Sequence, residues 1–405
     1  MADNKDKKVL NVPALRFPEF TEEWEEHYLA EYLDFKNGLN PSANKFGSGI
    51  KFISVMDILN NDFITYDCIR TSVEITPEEQ VAFAVEKGDM LFQRSSETLE
   101  DVGRANVYMD DRPAVFGGFV IRGKKKAEYN PMFFRYLLAS PYARKKVIPM
   151  GAGAQHFNIG QDGLSKVKLH FPILQEQQKI ADLLRLINER ISTQNKIIEK
   201  LETLIKGFVD SIFTANKFPK VPFKEIYVRA GEGGTPATSN PEYYDNGTIP
   251  FIKIDDLQNK YIKTNKDCIT ELGLQKSSAW IVPANSIIYS NGATIGAISI
   301  NLFSVCTKQG ILGVVPKADI NVEFLYYFMT STAFTKAVER IVTEGTMRTA
   351  YLKDINHIPC PVPYPVKQDE IAKMLSTLSE KLENEVIFQM KLQKQKEFLL
   401  SQMFI

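Results

Sequence analysis

Hydrogen-bonding side chains collect in two loop segments in the first half of the chain. One segment is Gln93-Arg94-Ser95-Ser96, with Arg104 shortly after it, and the other is the glycine-rich stretch 151–158. Such side chains on loops can hydrogen-bond to base edges in a DNA groove, and Arg, Lys, hydroxyl and backbone donors can bind phosphates. The candidate nucleic-acid contacts of this half are Arg94, Ser95, Ser96, Arg104, Gln155, His156 and Asn158.

The second half of the chain carries a matching set. Segment 289–294 corresponds to the first loop segment, segment 345–349 corresponds to the glycine-rich stretch, and Lys308-Gln309 belongs to the same region. The candidates here are Ser290, Asn291, Thr294, Lys308, Gln309, Thr346, Arg348 and Thr349. The match between the halves favours these loops, although each single residue is equally well explained as a solvated surface position. The run Lys124-Lys125-Lys126 fits a solvated turn better than a phosphate clamp.

The residue patterns of catalysis and metal binding are absent from the sequence. Asn240-Pro241-Glu242-Tyr243 and Asn130-Pro131-Met132-Phe133 match the Asn-Pro-Pro-Tyr loop of amino-methyltransferases only in part, and no glycine-rich cofactor fingerprint precedes them. We interpret Asn130-Pro131 as a helix cap and Asn240-Pro241 as a turn. The histidines form no i, i+4 metal pair, and no Ser/His/Asp or Cys/His grouping is found. We therefore predict a non-enzymatic chain with no catalytic residue, no metal and no cofactor of its own.

An internal repeat determines how these loops are positioned. Phe171-Pro172 and Val362-Pro363 each end a short apolar run, and 363 − 172 = 191. The same shift aligns 176–181 with 367–372 and 130–134 with 321–325, while 67–69 match 267–269 and 52–57 match 251–256 at slightly larger shifts. The drift indicates loop insertions between matched elements. The chain is thus predicted to be a tandem duplication.

Each copy has the same predicted order of elements. Short apolar runs bounded by Gly, Pro and Asn predict a β-rich front domain, and an Asn-capped helix follows at Asn130 or Asn321. A long helix closes each copy after Pro172 or Pro363. The fold class is therefore α+β, with predicted segments 1–174 (first front domain), 175–214 (central helix), 215–365 (second front domain) and 366–405 (C-terminal helix).

The two long helices have matching apolar seams. In the first helix the steps of four and three run through Ile180, Leu184, Ile187, Ile191, Gln194, Ile198, Leu201, Ile205, Phe208 and Ile212. The repeat shift gives Ile371, Leu375, Leu378, Leu382, Glu385, Gln389, Leu392, Lys396, Leu399 and Met403 in the second. An apolar stripe this narrow is best buried against another helix, so we predict an antiparallel intramolecular coiled coil with pseudo-twofold symmetry. The alternative is a pair of surface helices, each lying on its own domain.

The predicted coiled coil would fix the distance between the two front domains. At 1.5 Å per residue, roughly 35 helical residues hold two reading domains about 50 Å apart. Two reading heads at a fixed separation suit a bipartite site on duplex DNA.

Composition restricts the class of protein. Lys and Arg total 49, as do Asp and Glu, so the formal net charge is zero, which argues against coating of nucleic acid by bulk charge. The four cysteines are far apart, as is typical of reduced thiols in the cytoplasm. The uncharged stretch 277–307 is broken by Pro, Asn and Gly, so we expect no membrane-spanning helix.

The chain resembles the specificity subunit of bacterial type I restriction–modification systems over its whole length. The resemblance rests on the lead-in Val12–Phe20 with Trp24, on the opening Gly233-Gly234-Thr235-Pro236 followed by 240–244 and 249–254, and on the two proline-to-helix junctions. Two departures are that the first domain has Lys36-Asn37-Gly38-Leu39-Asn40-Pro41 at its opening, and that the second junction reads Lys367-Gln368-Asp369-Glu370.

The resemblance implies a function and a set of partners. The front domains would be target recognition domains for duplex DNA within a cytoplasmic complex. Two methyltransferase subunits would dock on the chain and motor-nuclease restriction subunits would join them, with S-adenosylmethionine and ATP bound by those partners. The alternatives are a coiled-coil interaction scaffold without DNA specificity and a free-standing methyltransferase.

Overall fold

The structure is a computed structural model that describes residues 10–153, 155–215, 218–292, 294–342 and 348–405. Contacts within the chain divide it into two compact units. Unit 1 contains the chain up to Asn195 together with Phe388–Ile405, and unit 2 contains Lys196–Ile387. Each unit therefore combines one β-rich front portion with parts of both long helices.

The first half of the chain contains two main sheets. Its strands are β1 (Glu25–Tyr28), β2 (Leu33–Asn37), β3 (Phe46–Ile53), β4 (Ser72–Val73), β5 (Met90–Gln93), β6 (Ser95–Ser96), β7 (Ala105–Val107), β8 (Val115–Phe116), β9 (Val120–Lys125), β10 (Phe157–Asn158) and β11 (Lys168–Phe171). Its α-helices are α1 (Leu29–Tyr32), α2 (Val55–Asn60), α3 (Pro77–Ala82), α4 (Pro131–Ala139), α5 (Pro141–Val147), α6 (Gln161–Ser165) and α7 (Leu174–Ala215), with 3-10 turns at Ala43–Lys45, Tyr66–Cys68, Leu99–Asp101 and Ile148–Met150. One sheet has the order β2-β9-β5-β7 and the other β4-β3-β8, while β1 pairs with β11 and β6 with β10.

The second half repeats this plan. Its strands are β12 (Lys220–Pro222), β13 (Tyr227–Glu232), β14 (Ile249–Ile252), β15 (Tyr261–Ile262), β16 (Asp267–Ile269), β17 (Ile287–Ser290), β18 (Ile298–Asn301), β19 (Cys306–Thr307), β20 (Ile311–Pro316) and β21 (Pro359–Pro361). Its α-helices are α8 (Glu271–Gln275), α9 (Val322–Thr330), α10 (Thr332–Ile341), α11 (Leu352–Ile355) and α12 (Pro365–Gln402), with 3-10 turns at Phe223–Glu225, Pro241–Tyr243 and Ile254–Asp256. The sheet orders are β13-β20-β17-β18-β15, β16-β14-β19 and β12-β21.

The duplication predicted from the sequence is confirmed element by element. β9 and β20, α4 and α9, and α7 and α12 each begin 191 positions apart. The parallel pairing of Phe52 with Val115 in unit 1 recurs as the pairing of Phe251 with Cys306 in unit 2. Asn130 and its counterpart in unit 2 cap α4 and α9 as predicted, because each side-chain oxygen accepts backbone N–H groups of the first turn.

A buried glutamine fixes the start of each long helix. Gln177 donates through Nε2 to the carbonyl of Pro172 at 3.0 Å, and its Oε1 accepts the backbone N–H of Asn130 at 3.0 Å. Gln368 makes the equivalent bonds in unit 2, at 2.8 and 2.9 Å. Each glutamine thus joins the strand before the helix to the Asn-capped helix α4 or α9. This is the physical reason for the repeated proline-to-helix junction.

The two junctions differ at the residue before that glutamine. In unit 1 this residue is Glu176, which is fully buried and accepts two hydrogen bonds from Arg16, both at 2.7 Å. These hydrogen bonds raise the pKa of Arg16. In unit 2 the position is Lys367, which is half-buried and pairs with Glu370 at 2.9 Å. The departure noted in the sequence therefore reflects the anchoring of the lead-in segment, which binds the first junction through Arg16.

Both units show the antiparallel arrangement predicted for the long helices. In unit 1 the start of α7 and the end of α12 share one core, where the ring of Phe404 lies 5.7 Å from that of Phe133. In unit 2 the end of α7 and the start of α12 share the core, where the ring of Phe213 lies 5.3 Å from that of Phe324. Phe404 and Phe213 are repeat partners, since they too lie 191 positions apart. A start and an end meet in each unit, as an antiparallel pair requires.

The positions of the predicted seam differ in burial. The buried ones are Ile180, Leu184, Ile187, Gln194, Ile371, Leu375, Leu392, Leu399 and Met403. The half-buried ones are Ile191, Ile198, Leu201, Ile205, Ile212, Leu378, Leu382, Glu385, Gln389 and Lys396. Near the end of α7 the prediction is wrong by one position, because Phe208 is exposed and Val209 is buried in the core of unit 2. The helical period of 3.6 residues drifts against a strict heptad, which moves the buried face by this amount.

The long helices begin at Leu174 and Pro365, next to the predicted starts at 175 and 366. Across the described residues, no helix combines the length and apolar character needed to cross a bilayer.

Candidate nucleic-acid interface

Three loops of unit 1 meet at one end of the β2-β9-β5-β7 sheet, and we name residues 94–96, 117–119 and 155–159 loop face 1. The backbone of Arg94 holds the loops together: its N–H donates to Phe119 O and its carbonyl accepts from Ile159 N, both at 2.9 Å. The Arg94 guanidinium also donates to Gly118 O at 3.2 Å. Two predicted segments, 94–96 and 155–158, thus meet here, and Arg94 also binds a third segment that the sequence had not indicated.

The predicted residues of loop face 1 differ in exposure. Gln155, His156 and Asn158 are exposed, and Arg94, Ser95 and Ser96 are half-buried. The short β6–β10 pairing sets Ser95 opposite Asn158, and the Ser95 hydroxyl donates to the Asn158 side-chain oxygen. Asn158 also donates to His156 O at 3.2 Å. These polar groups are therefore preorganised at the surface, which lowers the entropic cost of binding.

Arg104 lies apart from loop face 1. It pairs with Asp101 at 2.7 Å and, with Arg135 and Arg144, lines a separate cleft of about 520 Å³. Burial lowers the pKa of Arg144 to about 10 and also lowers that of Arg135, and the Arg104 charge adds to both effects. The backbone of Arg104 accepts a hydrogen bond from Gln93, next to Arg94, at 2.8 Å. The predicted DNA contact of Arg104 stays a prediction.

The lysine run predicted to be a solvated turn is the end of strand β9. Lys124, Lys125 and Lys126 pair with Glu86 at 3.4 Å, Glu128 at 3.2 Å and Asp34 at 3.1 Å, respectively. The turn assignment was wrong because the antiparallel partner β2 continues the ladder to the pair Leu33–Lys125. The ion pairs leave no concentrated positive patch there.

Three loops meet at the corresponding end of unit 2, and we name the described residues 290–292, 294, 308–310 and 348–350 loop face 2. Asn291 is the centre of this cluster: its N–H donates to Gly310 O at 3.1 Å and its carbonyl accepts from Ala350 N at 2.9 Å. Its side-chain amide also donates to Ala350 O at 3.2 Å. Asn291 is the repeat counterpart of Arg94, so both faces are joined through the residue that follows the same strand.

Loop face 2 separates supporting residues from exposed ones. Ser290 and Asn291 are buried, so we expect them to act by holding the loops. Thr294, Lys308, Gln309 and Arg348 are exposed and Thr349 is half-buried. Thr346 lies outside the described residues. DNA contact by each of these residues stays a prediction.

The segment Gly117-Gly118-Phe119 is the part of the interface that sequence reasoning missed. Since β9 and β20 begin 191 positions apart, this turn is the counterpart of Lys308-Gln309-Gly310 in unit 2. The repeat shift was the available signal, but the segment has no polar side chain and was not chosen.

The opening of the first domain, at Gly38, occupies the same structural position as the Gly-Gly-Thr-Pro opening of the second, at Gly233. Gly38 N donates to Val120 O at 3.2 Å, and Gly233 N makes the same bond to Ile311 O at 2.9 Å. A Cβ on Gly38 would lie 2.1 Å from Gly117 O, and one on Gly233 would lie 1.9 Å from the carbonyl of Thr307. The segment Gly38-Leu39-Asn40-Pro41 is therefore the same element as Gly233-Gly234-Thr235-Pro236. Only its first glycine is required by the close approach in both copies.

Buried polar atoms without a hydrogen-bond partner mark the same place in both faces. Among the described residues, these include Gln93 Oε1 in unit 1 and Ser290 Oγ and Asn291 Oδ1 in unit 2. Gln93 and Ser290 both end the strand that leads into the central loop. Such atoms are uncommon in folded proteins and are often found at functional sites.

A buried polar network ties the front portion of unit 2 to both α9 and α12. Lys260 Nζ donates to Ser376 Oγ at 2.8 Å, to Tyr327 Oη at 3.0 Å and to Glu323 at 3.2 Å. Burial alone would raise the pKa of Glu323, but hydrogen bonds from Ser376 and Tyr261 and the charge of Lys260 lower it. The network therefore holds an ionised pair that fixes the recognition portion on the helix.

A family profile for the type I restriction–modification DNA specificity domain matches this chain twice, over residues 21–203 and 220–391. The chain belongs to this specificity family. The two matches coincide with the two repeats, each including a front domain and most of its long helix. As a specificity subunit the chain is a non-catalytic DNA-recognition component with two recognition domains.

Curated relatives align with this chain over most of its length. A putative type I restriction enzyme specificity subunit of Methanocaldococcus jannaschii, MjaX, is 24% identical over 400 residues, covering 93% of this chain and 91% of the relative. The HindI specificity subunit of Haemophilus influenzae is 25% identical over 377 residues, covering 73% and 80%.

Solved structures support the fold of the specificity family. The type I system S subunit from M. genitalium aligns with a TM-score of 0.57 at 15% identity, covering 97% of this chain and 99% of that one. A chain solved in work on complex assembly and conformational transition of the type I system aligns with a TM-score of 0.61 at 14% identity, covering 93% and 96%.

Proposed function

We propose that this specificity subunit recognises a bipartite site on duplex DNA, with loop face 1 reading one half-site and loop face 2 the other. The observation that carries the proposal is the repeated construction of the two faces. In each, three loops are joined by backbone hydrogen bonds through one residue, Arg94 or Asn291, and exposed hydrogen-bonding side chains surround that residue. Each mismatched base pair should cost about 1–3 kcal/mol of binding free energy.

The paired helices would then set the number of base pairs between the half-sites. α7 and α12 have 42 and 38 residues, and their starts and ends contribute to the cores that carry the loop faces. A length change in both helices should change the gap and leave the half-sites unaltered.

The proposal includes partners that carry the chemistry. Two methyltransferase subunits would dock on the chain and restriction motor-nuclease subunits would join them, in the cytoplasm. S-adenosylmethionine and ATP would be bound by those partners, and the methyltransferase would flip the target adenine out of the duplex before methylating it.

The long helices offer apolar surface for the methyltransferase subunits. Large apolar side chains are exposed on both helices: Leu186, Ile197, Leu204, Met374, Ile387, Met390 and Phe398. Contiguous exposed apolar patches, unlike single exposed apolar residues, mark protein-binding surfaces, and we propose that these side chains contribute to such a patch.

The experiment is to co-express the chain with its methyltransferase subunit and to map adenine methylation on plasmid DNA by single-molecule sequencing. A bipartite motif with a fixed gap, lost when this chain is omitted, is the expected result. A stable complex that methylates no defined motif would contradict the proposal and support the scaffold alternative. Binding of S-adenosylmethionine by the isolated chain, measured by equilibrium dialysis, would contradict the assignment of the cofactor to the partner.

A further inference from the structure

An apolar groove of about 380 Å³ opens beside loop face 1. Its main lining residues are Leu39, Phe46, Phe52, Val55, Met56 and Phe119. No Asp, Glu, Lys or Arg is found among the described residues that line it. We refer to it as the apolar groove.

The floor of the groove is fixed and its rim is open to solvent. Leu39 and Phe52 are buried in a small core cluster, and the Phe46 ring stands edge-on to that of Phe52 at 5.2 Å. Phe119 is 67% exposed and Met56 is 61% exposed, although both are large apolar side chains. Exposed apolar surface over a rigid floor favours contact with an apolar group of a ligand.

The groove is continuous with loop face 1. Phe119 belongs to the turn whose carbonyls, at Gly118 and Phe119, accept hydrogen bonds from Arg94 at 3.2 and 2.9 Å. The turn that carries Phe119 is therefore bonded directly to the central residue of loop face 1.

The same place in unit 2 has opposite chemistry. The matched strand pairings β3–β8 and β14–β19 align the two copies here. The positions of Ser54, Met56, Gly117, Gly118 and Phe119 are occupied in unit 2 by Lys253, Asp255, Lys308, Gln309 and Gly310. Lys308 and Gln309 are exposed, so loop face 2 presents charge and hydrogen-bonding groups where loop face 1 presents an aromatic ring.

We infer that loop face 1 recognises a thymine through its C5-methyl group, which contacts the Phe119 ring at the edge of the apolar groove. This rests on the proposed function of the loop faces. The thymine methyl is the one apolar group that base pairs present in the major groove. The lining offers no charge to a phosphate, and its polar side chains are Asn40 and Ser54, of which Ser54 already donates to Asp57 at 2.7 Å. Loop face 2, with Lys308 and Gln309, reads its half-site by hydrogen bonds instead.

The test uses the complex of this chain with its methyltransferase subunits. The bipartite motif is mapped first for the wild type and for Phe119→Ala and Lys308→Ala, which assigns a half-site to each face. Synthetic duplexes are then prepared in which single thymines of either half-site are replaced by uracil, which lacks only the methyl group. Binding of each duplex is measured at fixed salt, and thermal unfolding checks that each variant is folded.

The expected result is local to one half-site. Uracil at one position of the half-site read by loop face 1 weakens wild-type binding roughly 4-fold, the loss for one buried methyl group of about 0.8 kcal/mol. The Phe119→Ala complex does not distinguish uracil from thymine there, Phe119→Leu retains part of the difference, and Lys308→Ala retains all of it. Uracil in the other half-site has no effect on wild-type binding.

Three outcomes overturn the inference. If replacing each thymine of the half-site read by loop face 1 with uracil never weakens binding, methyl recognition is excluded. It is also excluded if that half-site contains no A·T pair. A Phe119→Ala variant that loses methyltransferase assembly while uracil has no effect identifies the groove as a protein-binding surface. If the wild-type complex yields no bipartite motif at all, the proposed function fails and this inference fails with it, whereas the other results leave that function standing.

Discussion

Removing the ring of Phe404 should destabilise unit 1 and leave unit 2 unaffected, although α12 begins in unit 2. Phe404 is 5% exposed and its ring lies 5.7 Å from that of Phe133 and 6.3 Å from that of Trp24. Phe213 holds the same place in unit 2, so Phe213→Ala is the mirror experiment. Phe398, which is 58% exposed and lies on α12 six residues before Phe404, supplies a matched control.

The expected magnitude follows from burial. A buried Phe side chain removes about 150–250 Å² from water, which at about 25 cal/mol per Å² corresponds to roughly 4–6 kcal/mol. Since alanine retains part of this and the site relaxes, Phe404→Ala should cost about 3–5 kcal/mol. Phe398→Ala should cost about 1 kcal/mol or less, because its ring keeps most of its contact with solvent.

Native-state hydrogen exchange measures these losses locally. In Phe404→Ala, amides of α4 should lose protection while those of α9 stay protected, and Phe213→Ala should give the reverse pattern. Urea unfolding of the variants gives the overall loss of stability. Equal deprotection of α4 and α9 in Phe404→Ala, or a loss no greater than in Phe398→Ala, would refute the assignment of the helix end to the core of unit 1.

Three further predictions follow from the described contacts and the proposed function. Lys260→Met should destabilise unit 2 by about 2–4 kcal/mol because it leaves the Glu323 carboxylate without its cation. Adding Glu323→Gln should recover part of that loss in urea unfolding. If the stability losses of the two single variants simply add in the double variant, the coupling is contradicted. Burial lowers the pKa of His170, so the folded state disfavours protonation of this side chain. The stabilising contribution of the neutral imidazole is fully present above the pKa of His170 in the unfolded chain. It is lost as the pH falls from that pKa towards the pKa of His170 in the folded protein. The urea midpoint should therefore fall as the pH is lowered through 6, and His170→Asn should reduce that dependence. Four residues inserted into both helices near Gln194 and Glu385 should lengthen the recognised gap by about 6 Å, near two base pairs, with unchanged half-sites. An unchanged gap in a folded variant would contradict the hypothesis that the helices set the gap.

The repeat and the helices could be predicted from the sequence because their signals are local and occur twice. The junctions at Pro172 and Pro363 combine a strand end, a buried glutamine and a helix start within a few residues, so a fixed shift in position reveals them. The seam could be read from spacing until the drift of the helical period moved burial from Phe208 to Val209.

The loop faces could be predicted only in part. A pattern of polar side chains predicts contacts at Ser290 and Asn291, which are buried, and predicts none at Phe119, which is exposed. Burial in a loop depends on segments far apart in the sequence: Asn291, for example, is covered by Ala350 and Gly310. Periodicity carries no information about such contacts, which is why the positions of the loops were predictable and the roles of single residues were not.

The positions of Phe404 and Phe213 also indicate how this duplicated chain relates to a chain that has a single repeat. Each repeat delivers the last turn of its long helix to the core of the other unit, which is the topology of two swapped subunits joined into one polypeptide. A single repeat ending after Phe213 would supply only one of the two long-helix segments that each core contains, because α7 starts in the core of unit 1 and ends in the core of unit 2. Two such half-length chains would complete each other by exchange. The covalent duplication makes that exchange independent of concentration, and it frees the two loop faces to diverge, one towards an aromatic ring and the other towards a lysine.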